Sequence, residues 1–328
     1  LNKSSELPTL SDYNVVWNSP SANSLGSMPL GNGDIGINLW VEENGDLLFY
    51  LSKTDAWSEN ARLLKLGKVR LSLSPNPFQT GRPFLQELLL KDGVVQIGAG
   101  AKEELVSIDI WVDANHPVVE LDVKSEIPIS ALVSTEPWRT ERRQITDKNE
   151  IHAAYGIHGG PDVFVEKDSV LENKKGIIWL HRNKRSIWKD NLELQGLGKY
   201  SKKNEDPLLH RTLGGLILSK GMVTEGNGRL KMDHPKKQFS ISVYALSAQT
   251  ENQNDWTEEI TQIAKNVGLL SRKQRFADHK NWWYSFWNRS YIHLSTDDIN
   301  EKESVYNVSR GYALQRYMNA CSGRGNSP

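Results

Sequence analysis

Aspartate and tryptophan side chains near the N-terminus are the first candidates for chemistry. Asn32 and Asp34 lie in a glycine-rich stretch, and Asp55 and Trp57 lie two positions apart just beyond an apolar run. Two carboxyl groups can serve as acid and base or nucleophile on a glycosidic bond, and a flat indole ring can stack on a sugar. These four residues are therefore candidate substrate contacts. The alternative is that both aspartates only cap turns.

Two further polar and aromatic clusters follow along the chain. Trp138 and Arg139 stand in "STEPWRTERR", where a stacking ring beside a guanidinium suits a sugar subsite, although the ring could instead be tucked inward. His181 and Arg182 begin a denser cluster, which suits either the mouth of a site or a contact between domains. Its other members are Asn183, Trp188, Gln195, His210 and Arg211. Glu59 and Glu136 are additional carboxylate candidates.

The spacing of Gly31, Gly33 and Gly36 has the form of a dinucleotide-binding loop. Such a loop needs a helix after the glycines, because the helix N-terminus holds the pyrophosphate. Here apolar residues alternate over positions 35–41, which predicts a strand. The pair Asn44-Gly45 then predicts a hairpin with a type I′ turn. The pattern therefore argues against a nucleotide site.

Composition excludes several classes of protein. The chain has 40 Lys and Arg against 40 Asp and Glu, so no net charge favours nucleic acid, and no apolar run predicts a membrane span. Its single cysteine, Cys321, excludes an intrachain disulfide. We expect no metal and no cofactor, since the histidines lack ligand spacing. The histidines considered are His152, His158, His181 and His210.

The elements that must position these side chains are mainly strands. Short alternating runs separated by turns such as Asp92-Gly93 and Asn227-Gly228 predict an antiparallel sandwich over residues 10–250. Helical spacing follows, with capping boxes predicted at Asp255 and Glu258, Ser271 and Gln274, and Asp298 and Glu301. A short strand is predicted at 291–294. Trp283 and Trp287 are expected to pin the second helix to the sandwich, with Trp282 pointing elsewhere.

Five stretches together carry a family resemblance. "MPLGNGDIGINLWV" and "LFYLSKTDAWSE" resemble the start of bacterial α-L-fucosidase-type glycoside hydrolases. "HRNKRSIWKDNLELQGL", "DPLLHRTLGG" and "HKNWWYSFWNRSYIHL" resemble an uncharacterised N-terminal domain on fucosidase-like proteins of Bacteroidetes. The resemblance covers residues 13–320. It implies a galactose-mutarotase-like β-supersandwich, a helical linker and an (α/α)6 catalytic barrel.

The domain boundaries expected from this resemblance are 1–250 for the supersandwich, 251–297 for the linker and 298–328 for the start of the barrel. The catalytic residues would then lie beyond Pro328, in a natural protein that continues past it. The expected function is to brace the barrel and lend loops to a carbohydrate site, in a protein exported to the periplasm or secreted after loss of a signal peptide. A stand-alone carbohydrate-binding module is the alternative, and a polysaccharide lyase is a weaker one.

Overall fold

Antiparallel strands are the main regular secondary structure of the molecule. The computed structural model describes residues 9–79, 81–147, 150, 160–173 and 176–324. The strands are β1 Val15–Trp17, β2 Met28–Gly31, β3 Ile35–Val41, β4 Leu47–Trp57, β5 Leu63–Ser74, β6 Phe84–Leu89, β7 Val94–Ala99, β8 Val106–Val112, β9 Val118–Glu136, β10 Arg143–Gln144, β11 Phe164–Val165, β12 Ser169–Asn173, β13 Gly176–Arg182, β14 Arg211–Ser219, β15 Met222–Gly226, β16 Arg229–Met232 and β17 Lys236–Gln249.

The helices are shorter in total and lie mostly after the strands. They are α1 Trp188–Leu194, α2 Gly198–Ser201, α3 Gln253–Gly268, α4 Arg272–Trp287 and α5 Lys302–Ser322, with 3-10 turns at Leu10–Tyr13, Ser24–Gly26 and Lys102–Glu104. Among the described residues, no helix is both long and apolar enough to cross a membrane. The prediction of a mainly antiparallel β fold followed by helices is confirmed.

Strand β9 joins the two layers of the sandwich. Its first half pairs with β8 and β17, and its second half pairs with β5 and β16. One layer therefore runs β1-β6-β7-β8-β9-β17-β14-β13-β12, and the other runs β2-β3-β4-β5-β9-β16-β15. Because β9 belongs to both layers, it fixes the position of one layer relative to the other.

The core fills the space between these layers. The predicted alternation in β3 is confirmed, since Ile35, Ile37, Leu39 and Val41 are all buried in the same apolar cluster as Ile108 of the other layer. Because side chains alternate along a strand, the intervening positions of β3 and β4 face outward. This leaves the outer face of the second layer free to carry polar and aromatic groups.

Helix α3 covers the outer face of the first layer. Trp256, Ile260 and Val267 are buried against Leu180 and Leu216, as the helical spacing predicted. The predicted cap is wrong, because the helix begins three residues earlier than the capping box required. The actual N-cap is Asn252, whose side chain accepts from the backbone of 254 and 255, and Asp255 takes the partner position of that box.

Helix α4 is fixed to the sandwich by two tryptophans and one buried arginine. Trp287 Nε1 donates to Leu90 O at 2.9 Å, and Trp283 is buried, so the predicted pinning is confirmed. Arg275 lies 3.0 Å from Asp113 and 2.6 Å from Glu120, and both carboxylates are fully buried. The predicted Ser271 cap is also confirmed, since its side chain accepts from Gln274 N.

Several local predictions differ from the structure. Only Gly45 of the Asn44-Gly45 pair has a positive φ, and Gly45 N donates to Glu42 O, so this hairpin has a type I turn followed by a bulge. The type I′ geometry, with positive φ at both positions, occurs instead at Asn227-Gly228. No strand forms at 291–294. Helix α5 begins after Glu301, whose side chain makes no capping hydrogen bond, so the third capping box is wrong.

The glycine-rich turn serves a close approach between the sandwich and α5. Gly33 N donates to Cys321 O at 2.9 Å, and Gly33 has a φ of +81°. A Cβ on Gly31 would lie 2.5 Å from the Cys321 carbonyl oxygen, and one on Gly33 would lie 2.4 Å from the Arg324 side chain. The absence of side chains at these glycines therefore lets the C-terminal end of α5 pack closely against the turn. This packing role agrees with the argument against a nucleotide loop.

Candidate functional site

Asp34 and Asp55 come together at one ammonium group. Lys53 Nζ lies 2.7 Å from Asp34 and 2.8 Å from Asp55, because β3 and β4 pair side by side at this end of the second layer. Arg211 adds a second cation 3.6 Å from Asp55. The two carboxylates are partly exposed, while Lys53 is nearly covered. This arrangement is an ion cluster with its acidic groups turned toward solvent.

Asp34 also forms part of the wall of two cavities. One, of about 640 Å³, is lined by Asp34, Asn115, Arg289 and Asn319, among others. The other, of about 270 Å³, is lined by Asp34 together with outward-facing groups of β3 and β4 and the end of α5. The larger cavity has a mixed polar and apolar wall and the smaller one a mainly apolar wall, and the Asp34 carboxylate can accept a hydrogen bond in either.

Asn32 lies beside Asp34 but uses its side chain to build the turn. Its Nδ2 donates to Asp113 O at 2.8 Å and to His116 O at 3.1 Å, while its Oδ1 accepts from Asp34 N and Ile35 N. Both the nitrogen and the oxygen of the Asn32 side-chain amide are thus already hydrogen-bonded within the protein. Asn32 positions Asp34, and a direct contact with a ligand stays a prediction.

The exposed Trp138 ring lies on the outer face of the second layer. Its ring centroid is 5.4 Å from that of Tyr50, which in turn lies 4.9 Å from Trp40. Lys65 Nζ lies 5.3 Å from the Tyr50 centroid. Trp138 is 44% exposed. These three rings form an aromatic platform, defined here as Trp40, Tyr50 and Trp138, with a cation beside it. Trp40 is buried beneath the surface, so Trp138 and the half-buried Tyr50 are the members that a ligand could reach.

Arg139 holds the platform loop in place. Its Nε donates to Asp168 Oδ1 at 2.6 Å, and Asp168 N donates back to Arg139 O at 2.7 Å. The guanidinium therefore points toward the protein, so its clearest action is to fix the loop that carries Trp138. Trp57, 38% exposed, lies at the far end of β4, about 23 Å from Tyr50 by the rise of seven strand residues.

A buried histidine connects the loops of the two tryptophans. His181 Nδ1 lies 3.0 Å from Asp168, and its Nε2 lies 3.4 Å from Glu59, in the hairpin that follows Trp57. All three side chains are almost completely buried. Burial lowers the pKa of His181, but hydrogen bonds to Asp168 and Glu59 outweigh it, and the net pKa is raised. A protonated His181 between two carboxylates would hold both loops.

Both terminal nitrogens of the Arg182 guanidinium already donate hydrogen bonds within the protein. It donates to Thr212 Oγ1 at 2.6 Å, to Thr250 O at 2.8 Å and to Glu251 O at 2.9 Å. Burial lowers its pKa. Arg182 therefore ties the end of β13 to the segment that leads into α3. Its roles at a carbohydrate site or in a contact between domains stay predictions.

Sequence reasoning missed Lys53, Tyr50 and Asp168. Lys53 stands two positions before Asp55, at the spacing that places both on one face of a strand, and that signal was available. Asp168 has no such signal, because its partners are 29 and 13 residues away. Glu136, a carboxylate candidate, pairs with Arg70 and Lys68, and these hydrogen bonds outweigh burial to lower its pKa.

Within the described ranges, no group of three or more His, Cys, Asp or Glu side chains is arranged to hold a metal ion. His152 and His158 lie outside those ranges. Cys321 is buried, and burial raises the pKa of its thiol to about 12. It therefore stays protonated near neutral pH and lacks the thiolate that a nucleophile needs.

Two solved structures that resemble this chain share little sequence identity with it, and both superpose with TM-scores below 0.5. A protein assigned as a kojibiose phosphorylase from the human microbiome has a TM-score of 0.48 and 11% identity, covering 95% of this chain and 42% of its own. A bacterial glucoamylase complexed with acarbose has a TM-score of 0.37 and 10% identity, covering 84% and 41%. The present chain thus spans less than half of each of these proteins.

Sequence comparison identifies the family. No curated protein matches the sequence. Residues 16–292, however, match the N-terminal part of a family described as a domain of unknown function, DUF5703. This agrees with the resemblance of the three later sequence stretches to an uncharacterised N-terminal domain. The chain belongs to the DUF5703 family, as its N-terminal domain.

Proposed function

We propose that this domain works in a carbohydrate-active protein and lends its outer face to glycan binding. The observation that carries the proposal is the exposed Trp138 ring, which packs against Tyr50 at an interplanar angle of 47° and whose loop is fixed by the Arg139–Asp168 pair. A rigid aromatic surface loses little entropy when a sugar ring stacks on it. Lys65, a group that can donate to sugar hydroxyls, lies beside the platform. The Asp34–Lys53–Asp55 cluster lies further along β4, where Lys53 is on the opposite face of the strand from Tyr50.

The finer proposal is that the chain accompanies a helical catalytic barrel in a glycoside hydrolase of the fucosidase-like group. Support comes from the sequence resemblance and from apolar side chains left exposed on α5 and before it. These side chains are Ile299, Val308 and Met318. In this proposal they face the barrel, while the Asp34, Trp57 and Trp138 loops border its site, and the protein is exported to the periplasm or secreted.

A binding module without catalysis is the second candidate, because the platform is complete within this chain. The two candidates differ in what the domain does alone. A module binds glycan with the same affinity alone and within its natural protein. An accessory domain binds weakly alone and more tightly when the catalytic part is present.

The test is affinity electrophoresis of the isolated chain and of the whole natural protein through gels containing different polysaccharides. Trp138→Ala removes the platform ring. Trp17→Ala is the matched control, since Trp17 is 39% exposed on β1 and lies outside the platform. We expect retardation that Trp138→Ala abolishes and Trp17→Ala keeps. Absence of retardation by every glycan, for both proteins, would refute the proposal.

A further inference from the structure

A separate cavity lies between the N-terminal 3-10 turn, the end of α4 and helix α5. Its volume is about 480 Å³, within the range of small-molecule sites. None of the candidate site residues discussed above lines it. It is therefore a second concave site, independent of the glycan surface.

Five aromatic side chains line this cavity. They are Tyr13, Tyr284, Trp287, Tyr291 and Tyr312. Two of them are fixed by the surrounding structure. Trp287 Nε1 donates to Leu90 O at 2.9 Å, and the Tyr13 hydroxyl lies 3.1 Å from His293 Nδ1. Flat rings held in fixed positions favour a flat, apolar ligand body.

The charged groups that line this cavity are both cations. Among the described residues, Arg316 and Lys91 line it, and no aspartate or glutamate does. Arg316 is already occupied, because it donates to the carbonyls of Ser290 and Phe286 and lies over the Phe286 ring. Lys91 is exposed and forms no hydrogen bond or ion pair with any described residue. The neighbouring Asp92 does not neutralise it, since that carboxylate lies 3.5 Å from Lys280.

From these features we propose that the cavity binds a small aromatic carboxylate. The ring of the ligand packs among the tyrosines and Trp287, and its carboxylate pairs with the ammonium of Lys91. An anion gains from the positive lining, while a sugar acid would leave most of its hydroxyls facing apolar walls without partners. The proposal does not depend on glycan binding, and either can fail without the other.

The probes are 4-hydroxybenzoate, its neutral analogue 4-hydroxybenzamide, and glucuronate, titrated calorimetrically into the whole chain. We expect saturable binding of the benzoate, weaker binding of the amide, and none of glucuronate. Lys91→Gln should weaken benzoate binding about two- to fivefold, the range of an exposed ion pair, and leave amide binding unchanged. Lys237→Gln is the control, because Lys237 is exposed on β17, outside the cavity.

A second variant tests the aromatic wall without risk to the fold. Tyr284 is 62% exposed, so Tyr284→Ala removes a wall and little packing. It should weaken both the benzoate and the amide, whereas Tyr200→Ala, at an exposed tyrosine on α2, should weaken neither. The proposal is overturned if the benzoate does not saturate, if both cavity variants bind it like wild type, or if glucuronate binds as tightly.

Discussion

At the scale of single residues, His181 is the group on which the site most depends. It contacts Asp168, which holds the Trp138 loop through Arg139, and Glu59, which lies in the hairpin after Trp57. Its pKa is raised by the hydrogen bonds to Asp168 and Glu59, which means that folding stabilises the imidazolium relative to the unfolded chain. Protonation of one buried residue therefore stabilises two loops that carry exposed tryptophans.

The pH dependence of stability follows from the sign of that shift. A histidine whose pKa is raised on folding contributes stability below its unfolded pKa of about 6.5, and loses it as pH rises through the folded pKa. Wild type should thus lose a stabilising contribution above about pH 6.5 that His181→Gln lacks. Urea midpoints measured from pH 5 to 9 for both proteins test this. A difference between them that grows with pH would contradict it.

His279 makes the opposite contribution. Burial outweighs its hydrogen bond to Asp92 O and lowers its pKa to about 4. A histidine kept neutral by folding stabilises above its unfolded pKa of about 6.5, and this stability is lost as pH falls from there toward 4. The His279→Gln variant should therefore lose less stability than wild type between pH 6.5 and pH 4 in the same urea series. An identical loss in both proteins would show that His279 is not buried in the neutral form.

At the scale of elements, the central feature is the contact between the glycine turn and helix α5. Gly33 adopts a φ of +81°, and its missing Cβ leaves room for Arg324, whose guanidinium lies 3.4 Å from the Trp282 ring centroid. Trp282 stacks in turn on Phe286 of α4. The turn that carries Asp34 is thereby fixed to both helices.

Gly33→Ala should destabilise the protein by about 1–3 kcal/mol, because alanine is strained at positive φ and its Cβ would meet Arg324. Gly311→Ala is the matched control within α5, where an added Cβ meets nothing within 4 Å. That control should stabilise by about 0.5–1 kcal/mol, the helix preference of alanine over glycine. Thermal unfolding of both variants measures the difference, and equal midpoints would refute this role for the turn.

Arg275→Met tests how α4 is attached. The substitution leaves Asp113 and Glu120 buried, and it removes the partner that lies within 3.0 Å of each. We expect a loss of about 3–5 kcal/mol of unfolding free energy, the usual cost of stranding a buried charge. Arg289→Met, at an exposed position just after α4, should change stability little. A loss no larger than that of the control would show that the ion pair does not hold the helix.

Local patterns predicted the elements better than the contacts between them. Alternation over 35–41 gave β3 and its buried face, and the spacing of Trp256 and Ile260 gave α3, because both depend on neighbours in sequence. The type I′ turn at Asn44-Gly45 was wrong, since Asn44 does not adopt positive φ. The His181–Glu59 contact, across 122 residues, depends on the order of strands in a layer, which no local period encodes.

At the scale of the whole molecule, three helices pack against a two-layer sandwich. Helix α3 covers one layer, α4 is anchored by Arg275, and α5 meets the glycine turn. The exposed platform is the surface feature on which the proposed glycan binding rests.

The most direct test of the central claim is a calorimetric titration with the glycan that retards the protein most. Wild type, Trp138→Ala and Trp17→Ala are compared in the whole natural protein. The account predicts that Trp138→Ala raises Kd roughly 5- to 30-fold, equivalent to about 1–2 kcal/mol, and that Trp17→Ala leaves it unchanged. Equal Kd values for wild type and Trp138→Ala would contradict it.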